Sequence, residues 1–344
     1  MSTATSIEWT EATWNPTTGC DRISPGCDRC YAMTMARRLK AMGSAKYQND
    51  GDPRTSGPGF EVTMHQESVL DPIVKWPRKS QMVFLDSMSD VFHARVAADF
   101  QGKIFATMAL TPQHSYQVLT KRPGRMRELL AHGGRVHKAM MQALWDLRRN
   151  GPNIPAWNIR WLFERTDGEC PWPLPNVWLG TSIESDDYTG RADDLRETAA
   201  SVRFLSLEPL LGALPSLDLN GIDWVITGGE SGPGARPMDP QWARTIRDHC
   251  LANGVAFLHK QNGEWASTRR YGVGVLDGPR IYGSATQDAP HGFVLREILQ
   301  RVGKKTAGRE LDGRTWDQFP TPVGGGKRPS QSVITNAAGR VGEA

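Results

Sequence analysis

The sequence predicts an α/β fold, a full or partial TIM-like parallel (βα) barrel of six to seven βα units. Short continuous apolar runs recur along the chain, and such runs are typical of strands buried on both faces, as in parallel sheets. The runs cover residues 82–85, 116–119, 177–180, 202–205, 224–227 and 255–258. Helical patterns lie between most of them, at residues 99–110, 125–131, 187–198 and 240–252. With an irregular first strand near residues 8–14, this count favours a barrel over an open sheet.

The chain is expected to form one barrel domain over residues 1–320, with insertions at about 43–77 and 133–175. The Gly/Pro/Ser-rich residues 321–344 are expected to be a disordered tail. An apolar share of 39% is enough for a sizeable core, and the net charge of +4 does not indicate a strong phosphate-binding face. There is no apolar run of about 20 residues and no secretory pattern at the N-terminus, so a cytoplasmic protein without a membrane partner is expected.

Three of the five cysteines, Cys20, Cys27 and Cys30, fall within one short segment. In a reducing compartment, clustered thiols indicate a metal site more often than a disulfide. Gly19 and the Pro25-Gly26 pair allow the loop to turn tightly, so that the thiolates can converge. Cys30 begins a predicted helix that runs to Met42, and a helix N-terminus favours thiolates and bound negative charge.

The triad is predicted to hold a [4Fe-4S] cluster, because three thiolates on four irons leave one iron open for a substrate or cofactor. The first alternative is structural zinc held by three cysteines and one histidine. No histidine follows within the usual three to five residues, and His65 and His93 are the nearest downstream. The second alternative is a set of inert thiols.

Polar residues follow nearly every predicted strand, where barrel enzymes build their active sites. A single such residue would be explained as a cap or a turn, so the recurrence carries the prediction. Gly228 and Gly229 would also let the backbone approach a ligand closely. The polar residues are Asp86, Ser87, Ser89, Asp90, Thr120, Lys121, Arg122, Thr181, Ser182, Glu184, Ser206, Glu208, Glu230, Lys260 and Gln261.

The triad, the barrel and three short motifs together resemble the radical S-adenosylmethionine enzymes, most closely their spore-photoproduct-lyase-like branch. The motifs are Cys30-Tyr31-Ala32, Thr120-Lys121 and Ser182-Ile183. Six residues separate Cys20 from Cys27, where the usual pattern has three. The family's Gly-Gly-Glu follows its second strand, so its amino-binding role is matched by order to residues 86–90 here rather than to Glu230.

Over residues 5–320 the chain resembles the phage "gp thirty-seven/sixty-eight" proteins, also called three-cysteine-motif proteins. This resemblance implies a phage-associated protein and a partner protein encoded nearby, but no settled reaction. The segments that carry it are residues 14–20, 118–123, 207–212, 228–232 and 311–316.

The radical-enzyme resemblance implies a cluster-dependent enzyme that cleaves S-adenosylmethionine and uses a deoxyadenosyl radical on an unknown substrate. An unidentified electron donor is implied as a partner. The implied metal ligands are Cys20, Cys27 and Cys30. The implied cofactor-binding residues are Tyr31, Asp86, Ser87, Asp90, Thr120, Thr181, Ser182, Glu184, Gly228 and Gly229. Of these, Asp86, Ser87 and Asp90 would bind the methionine end of the cofactor. Residues 181–184 would bind its ribose. The implied substrate-facing, catalytic residues are Lys121, Glu208, Glu230 and Lys260.

Nucleic acid is one candidate substrate, because the second insertion interleaves basic residues with tryptophans. These residues are Arg135, Lys138, Arg148, Arg149, Arg160, Arg165, Trp145, Trp157 and Trp161. The alternative is an amphipathic helix with a solvated basic face and tryptophans packed on the barrel. A different class of function also stays open, a non-catalytic phage-associated protein with zinc or a vestigial cluster that binds nucleic acid or has a structural role.

Overall fold

A curled sheet of seven parallel strands forms the centre of the protein and makes a half-barrel. The computed structural model describes residues 3–5, 7–76, 78–150, 170–267, 280–282 and 298–321. The strands are β1 (Thr3–Ala4), β2 (Ala12–Trp14), β3 (Thr17–Thr18), β4 (Thr63–Met64), β5 (Met82–Leu85), β6 (Ser115–Thr120), β7 (Val177–Ser182), β8 (Val202–Leu207), β9 (Trp224–Gly228), β10 (Ala256–Gln261), β11 (Trp265–Ser267), β12 (Arg280–Tyr282) and β13 (Ile298–Arg301). The α-helices are α1 (Tyr31–Ala41), α2 (Asp71–Val74), α3 (Ala98–Ala109), α4 (Pro123–Leu130), α5 (Arg135–Asn150), α6 (Arg191–Arg196), α7 (Pro240–Ala252) and α8 (Lys304–Ala307).

The parallel strands lie in the order β2-β5-β6-β7-β8-β9-β10, and β1 adds an antiparallel strand beside β2. The other edge is covered by a short segment near the C-terminal end of the described chain. His259 of β10 donates its amide to Trp316 O at 2.9 Å, and Gln318 donates to Phe257 O at 3.1 Å. The partial barrel is therefore confirmed. Full closure is absent among the described strands, because each edge of the sheet is covered by its own short segment.

Side chains from alternate strand positions fill the concave face of the sheet. Trp9, which precedes β2, packs there against Phe84, Phe204 and Trp224. Gly180 makes room for this cluster, because a Cβ at that position would lie 2.5 Å from the Phe204 ring. The convex face packs on the helices in a second, larger core. Because buried side chains, many of them aromatic, fill the concave face, a ligand-binding site would have to form at the rim of the half-barrel.

The predicted strands and helices are confirmed with small shifts of their ends. The first strand is shorter than predicted, Ala12–Trp14, because Trp9 turns into the concave core instead of continuing the strand. In the first insertion, β4 pairs with β3 next to the cysteines. Residues 151–169 of the second insertion and 322–344 of the predicted tail lie outside the described residues. Among the helices that the structure describes, none is long and apolar enough to cross a bilayer.

Candidate active site at the barrel rim

The three cysteines lie on residues 19–30, here called the cysteine loop, which joins β3 to α1. The loop starts with Gly19 at a φ of +84°, and a Cβ there would lie 2.1 Å from Glu61 O, so only glycine lets the first insertion pack this closely. Cys27 donates its amide to Ser24 O at 2.8 Å, and Cys30 donates to Cys27 O at 3.2 Å. These turns bring the backbones of Cys27 and Cys30 together, just before α1 begins at Tyr31.

The thiols occupy partly buried positions with opposing electrostatic influences. Burial raises the pKa of the Cys20 thiol to about 12, against the lowering effect of Arg122. Burial also raises the pKa of Cys30, while the backbone amides of Ala32 and Met33 at the start of α1 lower it. Both thiols lie within electrostatic range of Cys27. Metal binding would therefore have to release protons from these groups, as thiolate coordination does in general.

No three His, Cys, Asp or Glu side chains in the described ranges are arranged around a single metal ion. The two histidines nearest to the triad are engaged elsewhere. His93 Nε2 lies 3.0 Å from Asp21 Oδ2, and His65 Nε2 lies 2.9 Å from Thr18 Oγ1. In this arrangement neither histidine completes the triad, and the three thiols would have to converge before they could hold zinc or a cluster.

Three buried carboxylates from the rim hold the cysteine loop and its approach. Asp86, after β5, accepts hydrogen bonds from Thr17 N at 3.1 Å and Thr17 Oγ1 at 2.7 Å. Glu184, after β7, has no exposed surface and accepts from Gly26 N at 3.3 Å. Each contacts the chain segment that carries the thiols, and the cofactor-binding role of each stays a prediction.

Glu230, after β9, is the third of these carboxylates. Its oxygens accept from Arg236 N at 2.8 Å, Nε at 3.0 Å and Nη2 at 2.6 Å, and Arg29 of the cysteine loop lies 3.5 Å away. The same Arg236 Nη2 donates to Pro25 O at 2.9 Å. Because β5, β7 and β9 are spread across the sheet, the cysteine loop crosses most of the rim and is held on both sides.

Arg122 joins Cys20 to the end of β6. Its Nη1 lies 3.4 Å from Cys20 Sγ and 2.8 Å from Asp90 Oδ2, while its Nη2 donates to Asp21 O at 3.0 Å. Asp90 also accepts from Thr120 Oγ1 at 2.8 Å. Thus Asp90 orients a cation that faces a thiol, in the way that outer hydrogen bonds orient metal ligands.

A second charged pair lies at the ends of β8 and β10. Lys260 Nζ is 3.2 Å from Glu208 Oε1, and Gly228 leaves the space that this carboxylate occupies, because a Cβ there would lie 2.3 Å from the same oxygen. Glu208 is also near Tyr31, since the pKa of that phenol is raised by burial, by Cys30 and by Glu208. The pair therefore lies near the start of α1, and its substrate-facing role stays a prediction.

Two further predicted site residues, Tyr31 and Lys121, lie close to Cys30. Tyr31 is 55% exposed, and its hydroxyl donates to Ser87 O. The Lys121 ammonium lies near enough to Cys30 to lower the pKa of that thiol, and it has no hydrogen-bond or ion-pair partner among the described residues. A cation without a protein partner beside a thiol is suited to an anionic ligand.

The structure does not bring every predicted residue to an open surface. Thr181 is fully buried and donates to Thr120 O at 2.9 Å, Ser87 Oγ donates to Asn15 Oδ1 at 3.1 Å, and Ser182 is buried with its carbonyl accepting from Arg191. Gly229 lies against the backbone of Asn262, 2.4 Å from where its Cβ would be. Their cofactor-binding roles stay predictions.

Three arginines at the site were given no ligand or catalytic role by the sequence. Arg122 was recognised only as a polar residue at a strand end, directly after Thr120-Lys121. Arg29 and Arg236 gave no such signal. Their partners, Glu230 and Pro25, are set by how the loops fold over the rim.

Comparisons with known proteins give a family and one distant structural similarity. Residues 4–320 match the model of a family described as "Protein of unknown function (DUF5131)". No curated protein matches the chain. A solved structure of spore photoproduct lyase, complexed with dinucleoside spore photoproduct, is 11% identical with a TM-score of 0.34. That similarity covers 88% of this chain and 71% of the lyase chain, and it is too distant to support an argument about function.

Proposed function

The chain belongs to the family described as "Protein of unknown function (DUF5131)", and from that premise we propose that it is a radical S-adenosylmethionine-like iron–sulfur enzyme. The observation that carries the proposal is the cysteine loop itself. Three part-buried thiols lie beside Arg122, Lys121 and the first amides of a helix. This set fits an anionic thiolate-bound cluster, because cations and backbone amides stabilise thiolate charge.

In this proposal Cys20, Cys27 and Cys30 hold a [4Fe-4S] cluster. With S-adenosylmethionine and one electron from an external donor, such a centre would supply reductive cleavage to methionine and a deoxyadenosyl radical, and that radical would take a hydrogen atom from the substrate. The chain's own contribution is positioning. The three buried carboxylates fix the loop on the rim, and the aromatic floor of the half-barrel excludes water from beneath it.

Three residues with charged side chains near the thiols are proposed to contact the cofactor and the substrate: Lys121, Glu208 and Lys260. Lys121 would face an anionic group such as a cofactor carboxylate. Glu208 and Lys260 would face the substrate, because their ion pair lies opposite the start of α1. The assignments of Asp86, Glu184 and Glu230 are refined in the proposal from ligand contact to holding the loop.

The test is anaerobic purification with iron and sulfide assays, followed by measurement of deoxyadenosine with dithionite as the reductant. The expected protein is brown and forms deoxyadenosine, whereas Cys30→Ala loses both iron and product. Cys170→Ala is the matched control, because it removes a buried thiol remote from the cysteine loop along the chain. A Cys30→Ala protein with the wild-type amount of deoxyadenosine would refute the ligand assignment.

The second candidate function is a non-catalytic protein in which zinc or a vestigial cluster staples the cysteine loop to the barrel. The extensive anchoring of the loop favours it as much as it favours an enzyme. It predicts either a colourless zinc protein or a brown protein that never cleaves the cofactor. The association with phage and the partner protein encoded nearby are also part of the proposal, and they rest on the resemblance of residues 14–20 and 118–123. The cytoplasmic location is proposed from the sequence patterns alone.

A further inference from the structure

The outer face of α5 carries basic side chains around an exposed tryptophan. Residues three or four apart share one face of a helix. By this spacing, one exposed face of α5 contains Arg135, Lys138, Gln142, Trp145 and Arg149, with Arg148 alongside.

The orientation of this face is fixed by packing on the opposite side. Val136, Met140 and Leu144 are fully or almost fully buried. Gly102 of α3 lets the two helices approach closely, because a Cβ there would lie 2.5 Å from Ala139 Cβ. Rotating α5 to hide its basic face would expose this apolar side, so the face stays directed outward.

Trp145 is the aromatic residue on this exposed face. Its side chain is 48% exposed, and the Arg148 guanidinium lies 5.5 Å from its ring centroid. Burial of an aromatic ring is strongly favourable, so an indole on a basic surface is unusual. An exposed ring next to a guanidinium is the arrangement on which nucleic-acid bases stack.

Among the described residues, this face carries more cations than carboxylates. Its cations are Arg135, Lys138, Arg148 and Arg149, whereas the described carboxylates beside them are those of Glu128, 3.0 Å from Arg135, and Asp146, 3.0 Å from Gln142. The face spans about 21 Å along the helix axis, at 1.5 Å per residue. That length matches several phosphates of a polynucleotide better than one small anion.

We propose that this face of α5 binds single-stranded nucleic acid, with its cations on the phosphates and a base stacked on Trp145. A single strand is preferred because the ring requires an unstacked base. The inference goes beyond the proposed radical chemistry and does not depend on it, because the face lies on the outer helix layer and needs no cluster.

The test is fluorescence anisotropy of the full-length protein with a fluorescein-labelled 15-mer of deoxythymidine, titrated over a series of salt concentrations. The wild-type protein should bind at low salt, and its affinity should fall as salt rises. Arg148→Glu with Arg149→Glu should lower the affinity at least about tenfold and reduce the log–log salt slope by about 1.4, since single strands release about 0.7 counterions per contact. Trp145→Ala should lower the affinity about 5- to 150-fold with the slope unchanged, whereas Trp145→Phe should keep most of the binding.

The matched control is Lys304→Glu with Lys305→Glu, which makes the same charge change at two exposed neighbours on α8. It should change the affinity less than about twofold. The proposal is overturned by an absence of wild-type binding at low salt, by an equal loss in the control, or by tighter binding of the matching duplex. Cys30→Ala protein should bind the oligonucleotide like wild type, so that failure of the radical chemistry and failure of this surface can be told apart.

Discussion

The most informative perturbation is Arg236→Met, because one side chain ties the cysteine loop to β9. The substitution removes the bonds from Nε and Nη2 to Glu230 at 3.0 and 2.6 Å, and the bond from Nη2 to Pro25 O at 2.9 Å. Glu230 is 6% exposed and keeps only its backbone donor and Arg29 at 3.5 Å. Breaking a fully buried ion pair costs about 3–5 kcal/mol. Because Arg236 is itself 27% exposed and Arg29 remains, we expect about 2–3 kcal/mol here.

This loss of free energy should make local opening of the cysteine loop easier, because Arg236 is not part of the half-barrel core. At about 1.4 kcal/mol per tenfold change, amide hydrogen exchange in residues 20–30 should speed up about 30- to 150-fold. Mass spectrometry of peptides from the apo protein measures this directly. The control is Arg244→Met, which breaks the pair between Arg244 of α7 and the 40%-exposed Asp312. Unchanged exchange in the cysteine loop of Arg236→Met would refute the anchoring argument.

Three further predictions follow from single contacts. Arg122→Gln should lower iron retention against a chelator about tenfold, at the lower end of the usual effect of residues that hydrogen-bond to metal ligands. Arg127→Gln on α4, the helix that follows Arg122, should leave iron retention unchanged. Burial raises the pKa of Asp86 to about 7 in the folded chain, so the folded state holds the proton that the unfolded state releases near pH 4. Wild-type stability should therefore fall relative to Asp86→Asn as pH rises from about 4 to 7 and then level off, as thermal melting at several pH values will show; a constant difference would contradict it. Gly180→Ala should destabilise the chain by about 1–3 kcal/mol through the Phe204 ring, and Phe204→Leu should recover part of that loss in a double-mutant cycle of melting experiments.

The polar residues at the strand ends were predicted to bind ligands, and several of them also hold the cysteine loop in place. Asp86, Glu184 and Glu230 are all placed at the rim, as their positions after strands predict. Their carboxylates nevertheless point to Thr17, Gly26 and arginine side chains, because a buried carboxylate needs donors and the loop supplies them. These three carboxylates at strand ends therefore hold the cysteine loop and the residues that lead into it.

The sequence by itself determined the strand positions, the rim residues and the clustering of the cysteines. The runs 82–85 and 224–227 are continuous and apolar because their strands are buried on both faces, and this local pattern survives in any parallel sheet. The cysteines are neighbours along the chain, so their proximity needs no knowledge of the fold.

Only the tertiary structure decided which partner each rim residue takes and whether the barrel closes. Glu230 meets Arg29 of the cysteine loop, and His259 meets Trp316, through packing of segments far apart in the chain. Such pairings depend on how loops of many lengths fold over a shared edge, and no local pattern of residues encodes that geometry. The exposure of Trp145 was decided in the same way, by the close contact of α5 with Gly102 on its opposite side.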